Sequence, residues 1–145
     1  MINAHITTFK NPFCNANQMK TVLLDTNFLL IPAQFKVDIF SEIDRICDFQ
    51  YEIAVLDKTV DELNKIMKEQ KGKDKEAAKL ALNLLKKKDL KIVPTVSEMT
   101  ADEILIDMAD SDKIVATQDI AVRKAVQKKL AKVIFLKSKK HLVID

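Results

Sequence analysis

A single glycine, Gly72, occurs among the 145 residues of the chain. Phosphate-binding loops of the GxGxxG and GxxxxGK[ST] kinds need several glycines, because backbone amides must approach the phosphate closely. The sequence therefore excludes dinucleotide-binding Rossmann proteins and P-loop proteins.

The composition is that of one ordinary folded domain. Hydrophobic residues make up 48% and charged residues 31% of the chain, so there is enough apolar surface to offset the entropy lost on ordering. Neither a membrane span nor an export signal is predicted, because no apolar run is long enough. Cys14 and Cys47 form no CxxC or Cys/His cluster, which favours a reduced, cytoplasmic protein without a structural zinc.

Short apolar runs alternate with amphipathic segments along the chain. This pattern predicts strands at residues 21–25, 51–56, 91–94, 113–117, 133–136 and 141–144, and helices at 37–49, from 59 to Gly72, 73–88, 100–109 and 120–130. Thr59 and Thr100 are predicted to cap their helices, and Thr26 with Asn27 to form a turn. The alternation predicts an α/β fold, a three-layer α/β/α arrangement around a central, mainly parallel twisted sheet.

Acidic residues stand at all four predicted strand-to-helix junctions. Asp25 ends the first strand and Asp119 follows the fourth, while the first turns of two intervening helices carry Glu62, Asp102 and Glu103. The carboxyl ends of parallel strands meet at one edge, where such sheets bind ligands. Converging carboxylates repel one another unless their pKa values rise or a divalent cation binds, and oxygen ligands suit Mg²⁺ or Mn²⁺. The alternative is that these acids serve as helix-dipole partners and turn residues.

Four short motifs resemble the PIN-domain nuclease family. They are VLLDTN at residues 22–27, TVDEL at 59–63, ADEIL at 101–105 and IVATQD at 114–119. Two longer stretches, residues 29–43 and 116–144, are more similar to the branch containing the small-subunit processome nuclease, which trims pre-ribosomal RNA, than to the VapC toxin branch.

The resemblance implies a metal-dependent endoribonuclease that hydrolyses RNA phosphodiester bonds with Mg²⁺ or Mn²⁺, acting in rRNA processing or ribosome assembly. Its catalytic and metal-binding acids would be Asp25, Glu62, Asp102 and Asp119. The supporting residues would be Asn27, which holds the turn, Thr117, which positions the site through its hydroxyl, and Glu103, which stands where a second aspartate is common. The PIN-like domain would span residues 20–145, after an N-terminal arm over residues 1–19. A homodimer or ribosome-assembly factors are the expected protein partners.

Basic residues follow the last acidic junction. Residues 120–140 contain eight lysines and arginines and no acid. We expect the RNA contacts to come from Arg123, Lys124, Lys128 and Lys129, and phosphate contacts also from the turn at 137–140. The alternative is a solvated helix face. Aromatic residues make up 6% of the chain and do not indicate a base-stacking platform; Phe135 is expected to pack in the core.

Other classes of protein fit the acids less well. A haloacid-dehalogenase-like phosphatase would need a second aspartate two residues after Asp25, where this chain has Asn27. A phospho-relay receiver domain would need an acidic pair at the end of the first strand. Two further alternatives within the resemblance are a non-catalytic RNA-binding PIN module in a ribosome-assembly complex and a VapC-like toxin ribonuclease.

Overall fold

A central sheet of six strands organises the protein in the computed structural model, which describes residues 19–145. The strands are β1 (Lys20–Leu24), β2 (Tyr51–Leu56), β3 (Lys91–Val93), β4 (Lys113–Ala116), β5 (Val133–Lys137) and β6 (His141–Ile144). Their order is β3-β2-β1-β4-β5-β6, and every pairing is parallel except the antiparallel pairing of β6 with β5. The predicted arm over residues 1–19, with Cys14, lies outside the described residues apart from Met19.

Helices cover both faces of the sheet. They are α1 (Thr26–Leu29), α2 (Ile31–Phe35), α3 (Ile39–Ile46), α4 (Asp57–Glu69), α5 (Lys73–Lys87), α6 (Ala101–Met108) and α7 (Ile120–Lys128). One buried cluster joins Val22 and Leu24 of β1 to α1–α5, and a second joins Leu23 to α6 and α7. Successive residues of β1 therefore feed opposite cores, as the period of a strand requires. The predicted three-layer α/β/α fold is confirmed.

The segment after β1 differs from the prediction. Residues 26 and 27 were expected to form a turn, but they begin α1, and α2 follows it directly. Both helices are shorter than two turns, so they leave no helical period in the sequence. The next helix is also shorter than the predicted 37–49, because Asp38 caps it at Ile39 and it ends at Ile46.

The start of α4 also differs from the prediction. Thr59 was expected to cap this helix, but the helix begins at Asp57 and has Leu56 at its N-cap. Thr59 is buried within the helix, and its hydroxyl oxygen has no hydrogen-bond partner among the described residues. Glu62 consequently lies in the second turn rather than the first. The predicted cap at Thr100 is confirmed, since its side chain accepts a hydrogen bond from the Glu103 N–H.

The sheet brings two of the junctions side by side. Leu24 of β1 is paired with Ala116 of β4, and the Asp25 N–H donates to the Ala116 carbonyl at 2.9 Å. The residues that follow each strand, Asp25 and Thr117, are therefore neighbours at the carboxyl edge. Within residues 19–145, no helix is both long and apolar enough to cross a membrane.

Candidate active site

Asp25 is the buried centre of the acidic edge, with 3% of its surface exposed. Its Oδ1 accepts a hydrogen bond from the Thr26 N–H at 2.7 Å, and its Oδ2 accepts one from the Thr117 hydroxyl at 2.8 Å. Burial, together with the charges of Asp102 and Glu62, raises the pKa of Asp25 to about 6, against the lowering effect of the two hydrogen bonds. This carboxyl group therefore titrates close to neutral pH.

Thr117 connects two of the predicted acids. Its buried hydroxyl donates to Asp25 and accepts from the Asp119 N–H at 3.0 Å. Asp119 in turn caps α7, and its Oδ1 accepts from the N–H groups of Ala121 at 2.8 Å and Val122 at 3.3 Å. The position of Asp119 is thus fixed both by the end of β4 and by the start of α7.

Glu62 reaches the same edge from the opposite face of the sheet. Its Oε2 accepts a hydrogen bond from the Thr26 hydroxyl at 3.1 Å. Partial burial and the charge of Asp102 raise its pKa above the usual value, against a lowering effect of the Thr26 hydrogen bond and of Lys65. Thr26 therefore holds two acids at once, through its backbone to Asp25 and through its side chain to Glu62. Sequence reasoning assigned Thr26 to a turn and missed this role, although a hydroxyl directly after a strand-end acid is a signal for it.

Asp102 is the fourth member of the group. It lies in the first turn of α6, and burial together with the charge of Asp119 raises its pKa. Its own charge raises the pKa of both Asp25 and Glu62. Glu103, its neighbour, instead accepts a hydrogen bond from the Thr100 hydroxyl at 3.1 Å. Asp102 thus belongs to the acid cluster, while Glu103 stabilises the helix start.

The four predicted acids, Asp25, Glu62, Asp102 and Asp119, form what we call the acid cluster. All of its donors are carboxylate oxygens, which suit a hard divalent cation. Burial, and to a lesser extent the charge of a neighbouring acid, raises the pKa values of Asp25, Glu62 and Asp102, and a bound cation would oppose both effects. Within residues 19–145, however, no three Asp, Glu, His or Cys side chains stand close enough to ligate one ion together as placed. The donor atoms and negative charge of the cluster suit a divalent cation, but its carboxylates stand too far apart to bind one ion together without moving.

A polar clamp that the sequence did not reveal holds the start of α6 near the cluster. The Asp57 carboxylate accepts hydrogen bonds from the Thr95 hydroxyl at 2.6 Å and the Thr95 N–H at 3.0 Å, which lower the pKa of Asp57. The Lys58 ammonium donates to the carbonyls of Ser97 and Met99. These contacts tie the loop before α6 to the start of α4, and therefore set the position of Asp102 relative to Glu62.

Comparison with known proteins identifies the family. The chain matches the family described as the PIN like domain over residues 22–139. It belongs to this PIN-like family. It is 30% identical over 128 residues to "Ribonuclease VapC4" of Methanocaldococcus jannaschii, a match that covers 87% of this chain and 97% of that protein.

Two solved structures share the PIN-like fold. The PIN domain endonuclease Utp24 superposes with a TM-score of 0.68 at 18% identity, covering 86% of this chain and 90% of that one. A domain of a functionally unknown protein from Methanocaldococcus jannaschii superposes with a TM-score of 0.58 at 17% identity, covering 82% and 92%. The two superpositions show that this chain and those proteins share a fold.

The remaining predicted residues surround the acid cluster. Asn27 is exposed in α1, where its carbonyl accepts from the Leu30 N–H at 3.2 Å. On α7, Lys124 and Lys128 are exposed. Lys129 donates instead to the carbonyls of Ile106 at 2.8 Å and Asp107 at 2.9 Å, at the end of α6.

Among the four predicted RNA-binding residues, Arg123 is the one nearest in sequence to Asp119. Its N–H donates to the Asp119 carbonyl at 2.9 Å, one helical turn into α7. Its guanidinium carbon stands over the Phe135 ring, 4.3 Å from the ring centre. The structure therefore places the backbone of Arg123 one helical turn from Asp119 with its guanidinium on Phe135, and Lys129 at the far end of α7.

Proposed function

We propose that this PIN-like protein is a metal-dependent endoribonuclease that hydrolyses RNA phosphodiester bonds at the acid cluster. The observation that carries the proposal is the joint arrangement of Asp25, Glu62, Asp102 and Asp119, which come from four separate junctions. The charges of neighbouring acids in this group contribute to the raised pKa values of Asp25, Glu62 and Asp102. If these acids only formed turns, such neighbours would not be expected, because repulsion between them lowers the stability of the folded protein. The nuclease names of the VapC4 and Utp24 relatives support the same reaction class.

The cluster would hold Mg²⁺ or Mn²⁺ as its cofactor. We assign Asp25 and Asp119 as the principal ligands, with Glu62 and Asp102 completing the set directly or through water. A bound cation would activate water and neutralise charge on the scissile phosphate. Thr26 and Thr117 hold the carboxylates of Asp25 and Glu62 in place through their hydroxyls. Because Glu62 and Asp102 are exposed, their side chains have room to turn toward a cation.

The RNA backbone would pass over α7. Arg123, Lys124 and Lys128 provide positive charge beside the acids, and such phosphate contacts are independent of sequence and sensitive to salt. Lys129 contributes charge from the far end of the same helix, where it also binds the end of α6. This surface would draw RNA toward the acid cluster.

The natural substrate distinguishes two versions of the proposal. Precursor ribosomal RNA, with ribosome-assembly factors or a second copy of the chain as partners, is supported by the motifs shared with the processome branch. A VapC-like ribonuclease is supported by the 30% identity that extends over 97% of VapC4. A non-catalytic RNA-binding PIN module in a ribosome-assembly complex would have no need of the complete acid cluster.

Cleavage assays test the reaction. Labelled single-stranded RNA and precursor ribosomal RNA are incubated with the wild type, with Asp25→Asn and with the control Asp38→Asn, in Mg²⁺, Mn²⁺ or EDTA. Asp38 caps α3 away from the acids, and asparagine retains that capping ability. We expect Asp25→Asn to reduce cleavage by about 100-fold or more, as loss of a metal ligand does, and Asp38→Asn to cleave like the wild type.

Two results would contradict the nuclease. Cleavage that persists in EDTA would exclude the cation, and unchanged cleavage by Asp25→Asn would exclude the acid cluster. RNA binding without any cleavage by the wild type would favour the non-catalytic module. Cleavage of precursor ribosomal RNA at discrete positions, in preference to other RNAs of equal length, would favour the processing enzyme over the VapC-like alternative.

A further inference from the structure

A pocket lies between α7 and the β5–β6 hairpin. It has a volume of about 500 Å³ and is lined by Arg123, Phe135, Lys137, Ser138 and Val143 among others. This volume falls within the range of roughly 300–1,000 Å³ typical of ligand sites. Phe135 and Val143 are paired across the two strands, so their side chains share one face of the hairpin. The pocket therefore has an apolar floor with cations at its edge.

The pocket contains a flat cation stacked on a ring. Arg123 stands 4.3 Å above the centre of the half-buried Phe135 ring. Nucleobases of unpaired RNA stack on aromatic side chains and on arginine guanidinium planes. Arg123 follows Asp119 by one turn, about 6 Å along the helix axis, so the N-terminal part of α7 carries both the stacked guanidinium and an acid of the cluster.

The tip of the hairpin adds a second, independent observation. Ser138 and Lys139 both have positive φ, 57° and 58°, and the Lys140 N–H donates to the Lys137 carbonyl at 3.2 Å. Asparagine and glycine favour such turns, whereas serine and lysine strain them. The strained turn presents its lysines at the end of β5, which is parallel to β4 and so ends at the same edge as the acids.

The charge of the pocket also suits RNA. Its basic lining residues are Arg123 and Lys137, and Lys139 and Lys140 follow at the hairpin tip. Asp145 lines the pocket too, but its carboxylate accepts a hydrogen bond from the Gln127 side chain at 3.2 Å. Positive charge around an apolar, ring-bearing floor matches a phosphate-linked base better than an apolar peptide.

We propose that this pocket is a subsite for one unpaired nucleotide of the RNA, whose base stacks against the Arg123–Phe135 pair while the hairpin lysines hold its phosphates. This inference rests on the proposed function for the nature of the substrate. Its signature is a loss of single-stranded binding, and not of duplex binding, when the stack is removed, because a paired base is not available for stacking. Base–aromatic stacking is largely indifferent to base identity, so the preference is for structure rather than sequence.

The test measures RNA binding in an uncleaving background without divalent cations. Fluorescence anisotropy with a labelled 12-nucleotide RNA, single-stranded or as a duplex, is recorded for Asp25→Asn alone and combined with Phe135→Leu or Arg123→Lys. Leucine retains apolar volume without a π face, and lysine retains charge without a planar group. Phe40→Leu is the matched control. The Phe40 ring also lies under a cation, with the Lys88 Nζ 5.1 Å from the ring centre, but it packs in the helical layer on the opposite face of the sheet.

We expect Phe135→Leu and Arg123→Lys each to weaken single-stranded binding about tenfold and duplex binding hardly at all. The salt dependence should stay unchanged for Phe135→Leu, because stacking releases no counterions. A 2-aminopurine base scanned along the RNA should lose fluorescence at one position, and that quenching should disappear with Phe135→Leu. Phe40→Leu should bind like the parent protein.

Several results would overturn the subsite. They are equal loss of single-stranded and duplex binding, equal loss with Phe40→Leu, no quenching at any position, or no RNA binding by the parent. The outcome is separate from that of the cleavage assay. If Phe135→Leu weakened single-stranded binding in a protein that never cleaves RNA, the subsite would be supported and the nuclease contradicted. If the wild type cleaved RNA and Phe135→Leu had no effect on binding, the nuclease would be supported and the subsite contradicted.

Discussion

Asp25 and Asp38 have the same local role and opposite electrostatics. Each is the N-cap of a helix, and its side chain accepts backbone hydrogen bonds, Asp25 from the Thr26 N–H and Asp38 from the Phe40 and Ser41 N–H groups. Partial burial of Asp38 is outweighed by hydrogen bonds from Ser41 and Phe40, so its pKa is lowered. Burial and the neighbouring acids raise the pKa of Asp25 to about 6. A helix cap is normally stabilised by its charge, and the departure at Asp25 therefore indicates a site where charge is retained against stability.

The largest stability difference should appear when Asp25 is neutralised. Between the ordinary value of 3.8 and the folded value of about 6, the folded chain binds more protons than the unfolded chain. Its stability therefore falls as pH rises through this window, by about 3 kcal/mol at most. Asp25→Asn, which lacks the titration, should gain about 1–3 kcal/mol over the wild type at pH 7.5 and nothing at pH 4. Urea denaturation in EDTA at both pH values measures this.

An outcome independent of pH would contradict the electrostatic account of Asp25. If Asp25→Asn changed the free energy of unfolding equally at pH 4 and pH 7.5, its effect would come from altered hydrogen bonds to Thr26 and Thr117. Asp38→Asn is the control, and its stability relative to the wild type should not rise with pH.

Divalent cations should distinguish Asp25 from Asp38 by a somewhat smaller change in stability. A cation that binds the folded acid cluster stabilises it by about 2.7 kcal/mol at 100 times its Kd. Mg²⁺ or Mn²⁺ should therefore raise the Tm of the wild type at pH 7.5 and of Asp38→Asn equally. Asp25→Asn should show a much smaller rise. Equal rises in all three proteins, by thermal unfolding, would place the cation elsewhere.

The smallest effect should come from removing the ordinary cap. Asp38→Ala should lower the free energy of unfolding by about 1 kcal/mol, the usual loss for an N-cap. The pKa of Asp38 is lower in the folded protein than in the unfolded chain. The charged carboxylate therefore stabilises the fold at pH values above its ordinary pKa, and this stabilisation is lost as the pH falls through the folded pKa. The destabilisation should thus shrink in acid, which is the opposite trend to that of Asp25. A destabilisation that grew in acid would refute the comparison.

The sequence predicted those features that depend on strand ends. Asp25 and Asp119 could be assigned to one edge because parallel strands align their carboxyl ends, and Thr100 with Glu103 carries a local capping pattern. Asp102 followed from that helix start. These assignments needed only the order of the elements and short-range patterns along the chain.

Features that depend on contacts between distant segments could not be predicted. Thr26 reaches Glu62 across 36 positions, and Asp57 binds Thr95 across 38. The stack of Arg123 on Phe135 depends on how α7 packs on the hairpin. Thr59 has a capping pattern in the sequence, but α4 begins two residues earlier, at Asp57, so Thr59 lies within the helix.

The spread of the acid cluster along the chain has a consequence for how the protein is made. Its acids come from positions 25, 62, 102 and 119, and Asp25 gains Thr117 and Asp119 as neighbours only when β4 has paired with β1. Domains form as units, and long-range parallel pairing is a slow, late step. A nascent chain that has emerged from the ribosome as far as α5 carries two of the four acids and lacks the Thr117 link. The complete acid cluster would therefore form late in synthesis, and prematurely terminated fragments would lack it.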